Sequence, residues 1–129
     1  MAEQSQNATI LIVESDVLVR MPIANYLREC GYKVLEARDS DEATRLLASS
    51  DVQIDVILAN PRKLGESTGF DIAKWVRENK PEVEVVFSGT PKRAAALAGE
   101  LCAEGPDPAP YHPQQLEQQI RQLMAARKK

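Results

Sequence analysis

The sequence predicts an α/β fold, a doubly wound sheet of five parallel strands in which helices cover both faces. Three observations lead there. Five short apolar runs alternate along the chain with longer amphipathic stretches, the order that parallel crossovers require. The first run, Thr9–Val13, is continuous and β-branched, as a strand buried on both faces should be. At 129 residues, with 43% hydrophobic and 27% charged residues, the chain has the size and composition of one globular domain with one core.

The elements follow in order. After Glu14-Ser15-Asp16 a helix runs to about Cys30, its apolar stripe Val19, Ile23, Leu27 and Cys30 spaced by four, four and three. Asp16 is its N-cap and Gly31 its stop, while Pro22 removes one backbone bond and should bend it. Lys33–Ala37 is the second strand. Ser40 then caps a helix over Asp41–Ser50 that buries Ala43, Leu46 and Leu47. Asp55–Ala59 is the third strand, and Asn60–Thr68 a polar loop with Pro61 and Gly65. Gly69 opens a helix to about Asn79 with Ile72, Ala73 and Val76 inward and Trp75 at its flank; Pro81 ends it. Val83–Phe87 is the fourth strand, Ser88–Pro91 a turn, and Lys92 to Ala103 an Ala-rich helix. Gly105–Pro110 stands where a fifth strand is due, yet every second residue is a proline, so that strand should be short or irregular. Pro113 starts a last helix carrying Leu116, Ile120 and Leu123 and ending in Arg127-Lys128-Lys129, cations that suit a helix C-terminus. Residues 1–8 read as a flexible tail and 9–126 as the domain, with no output domain beyond it.

Composition excludes several function classes. Sixteen Lys+Arg against nineteen Asp+Glu give a net charge of -3, without the clustered basic excess of a nucleic-acid binder. No apolar run is long enough for a membrane span, and Met1–Asn7 is polar, with no signal-peptide pattern. Cys30 and Cys102 make no disulfide framework and no metal site, and read as reduced, packed thiols of a cytoplasmic protein. The single histidine, His112, has no nucleophile or carboxylate at a recognisable spacing and reads as a surface residue. Doubly wound sheets bind ligands at the carboxyl ends of their strands, so the residues to weigh are Glu14, Ser15, Asp16, Asn60, Ser88 and those near Ala109.

At these strand ends the sequence resembles the receiver domain of bacterial two-component response regulators. Ile10–Arg20, Tyr26-Leu27-Arg28, Gly31-Tyr32, Asp55–Asn60, Gly69-Phe70, Val85–Ser88 and Pro110–Pro113 carry the resemblance in order, over about residues 8 to 125. It implies a flavodoxin-like (CheY-like) fold with strand order 2-1-3-4-5. It also implies a pocket in which a third-strand aspartate accepts a phosphoryl group from a histidine kinase. An acidic pair holds Mg²⁺ there, and a hydroxyl and a lysine contact the phosphoryl group. Carried over residue by residue, the first acid is Glu14 and the hydroxyl is Ser88, both kept. The second acid is Ser15, the phosphoacceptor Asn60 and the lysine Ala109, before a Pro110 bond that the resemblance implies is cis.

These departures have chemical consequences. The Asn60 amide nitrogen is uncharged and its lone pair is delocalised, so it cannot form an acyl phosphate. Pro61 lacks the N–H through which deamidation would restore an aspartate. Mg²⁺ needs oxygen ligands, with one or two carboxylates among them, and only Glu14 is kept, with Asp16 as a weak second candidate. The expectation is a pseudo-receiver: no catalytic residues, no cofactor, Mg²⁺ binding lost or weak, and Glu14, Ser15, Asn60, Ser88 and Ala109 forming a degenerate phosphorylation pocket. Ser88 is expected to satisfy a backbone group in its turn, and could still move as a switch if some other event biases it. Partners implied by the resemblance are a histidine kinase, a phosphotransfer protein or another response regulator, with a homodimer as a further option and neither nucleic acid nor membrane. Their docking face would take in Lys92, Arg93, Ala96, Leu97, Tyr111, Gln115 and Gln119. Two rival readings are a phospho-relay receiver with Asp16 or Asp55 as substitute acceptor, and a small-ligand domain reusing the pocket; the latter lacks a glycine-rich phosphate loop.

Overall fold

The computed structural model describes residues 8–64 and 67–127. The tail expected over residues 1–8 lies outside these apart from Ala8, as do Gly65 and the last two lysines. The main sheet has four parallel strands, β1 (Thr9–Val13), β2 (Lys33–Ala37), β3 (Val56–Ala59) and β6 (Glu84–Phe87), in the order β2-β1-β3-β6. Register is set by pairs such as Leu11 with Leu35, Leu11 with Ile57, and Ile57 with Val85. Five helices complete the fold: α1 (Val17–Glu29), α2 (Ser40–Ala48), α3 (Gly69–Asn79), α4 (Pro91–Ala103) and α5 (Pro113–Arg127). Within the loop expected over Asn60–Thr68, Lys63–Leu64 (β4) and Ser67–Thr68 (β5) form a small antiparallel pair.

Helix starts follow local side-chain chemistry. Asp16 accepts from the Leu18 N–H (3.0 Å) and caps α1 as expected, and α1 continues through a buried Pro22. Asp39, not Ser40, caps α2: in extended backbone its carboxylate reaches the Glu42 N–H (2.9 Å), and the helix stops at Ala48 rather than Ser50. Thr68 and Asp71 form a reciprocal capping box on α3. Thr90 caps α4, so Pro91 takes the first helical position, where no N–H is needed. His112 serves the same purpose for α5, its Nδ1 accepting from the Gln114 N–H (3.1 Å).

The core has two layers. Leu11, Val13, Ile57 and Ala59 face α2 and α3, where Ala43, Leu47, Ile72 and Val76 are buried. Ile10, Ile12 and Leu58 face the other way, onto α1, α4 and α5, and meet Ile23, Leu27, Ala94, Ala98, Leu116 and Ile120. The placement of α4 in this second layer is the main departure from a fully wound sheet. A right-handed crossover from β6 to a fifth strand beyond it would put α4 on the same face as α3. Here α4 descends beside α1, and among the described residues no strand pairs with the outer edge of β6.

The Gly105–Pro110 segment explains why. Pro106, Pro108 and Pro110 lack N–H groups and hold φ near −65°, and no β-branched residue is present to fill a buried strand position. The segment instead closes the amino-terminal end of the sheet. The Asp107 N–H donates to Cys30 O (2.9 Å), and Pro106 lies over Gly31. With no fifth strand to return the chain, α5 itself climbs back, and Arg127 reaches Asp16 at the opposite end. The expected five-strand order 2-1-3-4-5 is therefore observed as far as its fourth strand.

Cys30, at the end of α1, and Cys102, in the last turn of α4, are joined in a disulfide with Cα atoms 5.5 Å apart, which corrects their reading as reduced thiols. Sequence spacing could not reveal this, because the partners are 72 residues apart and meet only once α4 joins α1. The Ala109–Pro110 bond is not cis. No helix among the described residues is long and apolar enough to cross a membrane.

Gly31 is the one described residue held at positive φ (+96°), and a Cβ there would lie 2.5 Å from Pro106 Cγ. Gly31→Ala combines backbone strain with a clash against a ring that cannot rotate away. It should lower unfolding free energy by about 2 kcal/mol, read as a shift of the urea midpoint at constant slope.

Candidate functional site

At the carboxyl ends of β1, β3 and β6 lies a cleft of about 320 Å³ lined by Glu14, Ser15, Asp16, Asn60, Arg62, Ser88 and the Gly89-Thr90 turn, with Met124 of α5 at its rim. Parallel strands of similar length end together, which brings Glu14, Asn60 and Ser88 side by side although 46 residues separate the first two. The backbone continues the ladder through them: Glu14 N–H to Ala37 O, Asn60 N–H to Val13 O and Ser88 N–H to Ala59 O.

Glu14 is only 7% exposed, and every observed contact of its carboxylate is with an N–H. Asn60 Nδ2 donates to Oε1 (2.9 Å), and the Asp16 backbone N–H donates to Oε2 (2.8 Å). Arg20 approaches the Glu14 carbonyl (2.8 Å) while its Nε pairs with Glu36. The Asn60 amide is in turn oriented by the Arg62 N–H, which donates to Oδ1 (3.0 Å). A buried carboxylate is tolerable only when its charge is met by donors, and here an amide supplies one of them.

Asp16 is also committed. Beyond capping α1, both its oxygens take a bidentate pair from Arg127 (2.9 and 3.0 Å). Its hydrogen bond to Arg127 holds the Asp16 carboxyl below the usual carboxylate range, against a smaller opposing effect of burial. The folded-state pKa is thus depressed, so the stabilisation stands above the ordinary aspartate pKa and is lost as pH falls through the lowered one. Arg127, expected only to complement a helix dipole, instead ties α5 to the mouth of the cleft; the 111-residue separation left no sequence signal.

Ser15 is exposed at the rim. Ser88 is 7% exposed, and its hydroxyl has no hydrogen-bond partner among the described residues, contrary to the expectation that it satisfies a turn backbone group. Ala109 is not in the cleft. The Pro-rich segment that carries it lies at the opposite end of the sheet, next to Cys30 and Gly31, because no fifth strand lifts it to the carboxyl end. Asp55 also lies at that far end, where its Oδ2 accepts from the Thr9 N–H (2.8 Å).

The donor set fits a divalent cation poorly. Mg²⁺ takes near-octahedral oxygen coordination with carboxylates anchoring it. Both Glu14 oxygens and both Asp16 oxygens already accept hydrogen bonds, Ser15 carries no charge, and Asn60 presents its N–H₂ rather than an anion towards Glu14. No cluster of three or more His, Cys, Asp or Glu suited to a metal occurs among the described residues.

Of the residues expected on a docking face, Lys92, Arg93, Gln115 and Gln119 are exposed, and Ala96 and Tyr111 are half-buried. Leu97 is 5% exposed and belongs to the core, a correction that follows from α4 lying against α1. Tyr111 packs edge-on to Tyr26, whose hydroxyl donates to the Tyr111 carbonyl (2.6 Å); burial pushes the Tyr26 phenol up from its ordinary pKa.

Comparison with known proteins agrees with this architecture. The chain is 27% identical over 122 residues to the Sensor kinase CckA of Brucella abortus, covering 93% of this chain and 13% of that protein. A response regulator receiver domain protein from Clostridium thermocellum superposes with a TM-score of 0.59 at 25% identity, covering 94% of this chain and 97% of that one. The signal receiver domain of an HD domain-containing protein from Pseudomonas fluorescens Pf-5 gives a TM-score of 0.63 at 19% identity, covering 100% and 98%. The chain spans 13% to 32% of the length of the curated relatives it matches. The family profile described as "Response regulator receiver domain" matches residues 10–106, and the chain belongs to that family of two-component signalling domains.

Proposed function

We propose that this receiver domain works by binding another signalling protein, without phosphoryl transfer at the family site and without Mg²⁺. The observation that carries the reading is the 2.9 Å hydrogen bond from Asn60 Nδ2 to Glu14 Oε1. Two carboxylates at that separation would need a cation or a shared proton between them, whereas an amide and a carboxylate satisfy each other directly. In this reading the site is closed on itself: the acceptor position carries no anionic nucleophile, and the Glu14 and Asp16 carboxylates are already taken up by N–H donors. Non-catalytic action belongs to the same reading, since the Glu14 and Asp16 carboxylates that share the cleft with Ser88 are already engaged by N–H donors.

The partner in this reading is a histidine kinase, a phosphotransfer protein or a second response regulator. Val17 (42% exposed) and Met21 (50%) project from α1, and Leu123 (38%) from α5, whose last turn is tied to the start of α1. Apolar side chains exposed beside the cleft suit a protein contact. A cytoplasmic location belongs to the same reading; the Cys30–Cys102 link weighs against it, since reducing compartments disfavour disulfides.

The test is intact-mass analysis after incubation with acetyl phosphate and Mg²⁺, beside a competent receiver as positive control. The expected spectrum shows no gain of a phosphoryl group. A stoichiometric gain mapping to Asp16 or Asp55 would overturn the reading in favour of a substitute acceptor.

A further inference from the structure

The edge of the main sheet at β6 is open. The Glu84 N–H bonds to Asp55 O and the Ser88 N–H to Ala59 O, so alternation directs the backbone groups of residues 84, 86 and 88 towards β3. The N–H and C=O groups of Val85 and Phe87 therefore point outward, and no other described strand pairs with them. Val85, Val86 and Phe87 are all half-buried, and Phe70, its ring tilted against that of Phe87 at 4.7 Å between centroids, is 61% exposed, so the open edge is flanked by apolar surface. The edge lacks the usual protections: it has no proline, lysine or bulge, and its one charge is Glu84.

We propose that β6 pairs antiparallel with β6 of a second copy of this chain across a two-fold axis at Val86, joining two four-stranded sheets into one of eight strands. The chain's own Gly105–Pro110 cannot fill the edge, because the disulfide and the Asp107–Cys30 hydrogen bond hold it at the other end of the domain. Symmetry then selects the register. Outward-pointing Val85 and Phe87 must form the hydrogen-bonded pairs, which sets Val85 opposite Phe87 of the second copy and Val86 opposite its own counterpart, with four backbone hydrogen bonds.

Side-chain chemistry agrees on both faces. Val85 and Phe87 lie on the α3 side, where the pairing joins two apolar patches, each including Phe70. Val86 meets Val86 on the opposite side. Glu84 falls opposite the uncharged Ser88, so like charges do not face each other even though each chain carries a net charge of -3. This self-complementarity favours a second copy over a strand from another protein. The inference does not depend on whether the cleft has lost phosphoryl chemistry.

Sedimentation equilibrium of the full chain should show a monomer–dimer equilibrium that Val85→Lys shifts to monomer while the thermal unfolding curve is retained. Val86→Cys gives a second readout that survives if the lysine variant fails to fold. On a two-fold axis the introduced thiols face each other in a non-hydrogen-bonded pair and should cross-link under mild oxidation, whereas Val85→Cys, set opposite Phe87, should not. A chain that stays monomeric at sub-millimolar concentration, with fast-exchanging Val85 and Phe87 amides, overturns the proposal and leaves the edge to a foreign strand. A dimer that cross-links instead through Ala96→Cys in α4 also overturns it, in favour of the α4–α5 surface.

Discussion

Asn60→Asp should destabilise the domain by about 2–3 kcal/mol at neutral pH in the absence of divalent cations, and Mg²⁺ should restore much of that loss. The wild-type amide donates to Glu14 Oε1 at 2.9 Å, and Glu14 is 7% exposed. A carboxylate in its place removes a charge-assisted hydrogen bond, about 1.5–3 kcal/mol, and sets two anions in a partly shielded cleft. Outward relaxation of the new side chain limits the repulsion, so the sum stays near the lower figures. The pH dependence has a defined sign. One of the two carboxyls in the variant keeps its proton to higher pH than in the unfolded chain. A raised folded-state pKa means that stability is complete below the ordinary carboxylate pKa and falls as pH rises through the raised value. Urea melts at pH 4 and pH 7, with and without Mg²⁺, check both statements. The wild type should show neither the pH-linked loss nor the Mg²⁺ rescue. A wild-type melting temperature that climbs with Mg²⁺ as steeply as the variant's would mean that Glu14 still recruits the cation past Asn60.

The same residues show what a sequence can and cannot specify. Strands β1, β2, β3 and β6 are legible because each is a short apolar run between turn residues, buried almost throughout in β1 and β3 and less so in the edge strands β2 and β6, and Asp16 and Gly31 bracket α1. Glu14, Asn60 and Ser88 could be placed in one cleft because parallel strands deliver the residues at their carboxyl ends to one edge of the sheet. The second half was harder, for a specific reason. Gly105–Pro110 reads as a poor strand, but its failure removes more than one strand. It turns α4 onto the α1 face, buries Leu97, reverses the course of α5, and carries Ala109 to the far end of the domain. With no fifth strand, the handedness rule that would seat α4 beside α3 no longer applies, and none of these placements is encoded in the local pattern of residues 91 to 127. Long-range pairs such as Arg127 with Asp16 and Cys30 with Cys102 are consequences of that rearrangement. They could be read only once it was known.

Reduction of Cys30–Cys102, or the paired change Cys30→Ala with Cys102→Ala, should lower unfolding free energy by about 2–4 kcal/mol without displacing α4. The closed loop spans 72 residues, and loop-closure entropy for that length is about 4 kcal/mol, with measured effects commonly smaller. That the helix should stay in place follows from what else holds it. Ala94, Ala95, Leu97 and Ala98 are each at most 5% exposed in the layer shared with α1 and α5, and the Tyr32 hydroxyl donates to the Leu101 carbonyl beside the disulfide. The disulfide therefore acts mainly on the unfolded chain, and α4 keeps its apolar seat when the link is cut. Far-UV circular dichroism should be unchanged by reduction while the urea midpoint falls, and hydrogen exchange should quicken first at the end of α4 and in the Asp107 amide bonded to Cys30. Thiol titration decides the premise. Protein denatured without reductant should yield no free thiol, and two per chain after reduction. Two thiols before reduction would return Cys30 and Cys102 to the packed pair the sequence suggested. The urea midpoint would then be indifferent to reductant, and the apolar contacts of α4 alone would account for its position against α1.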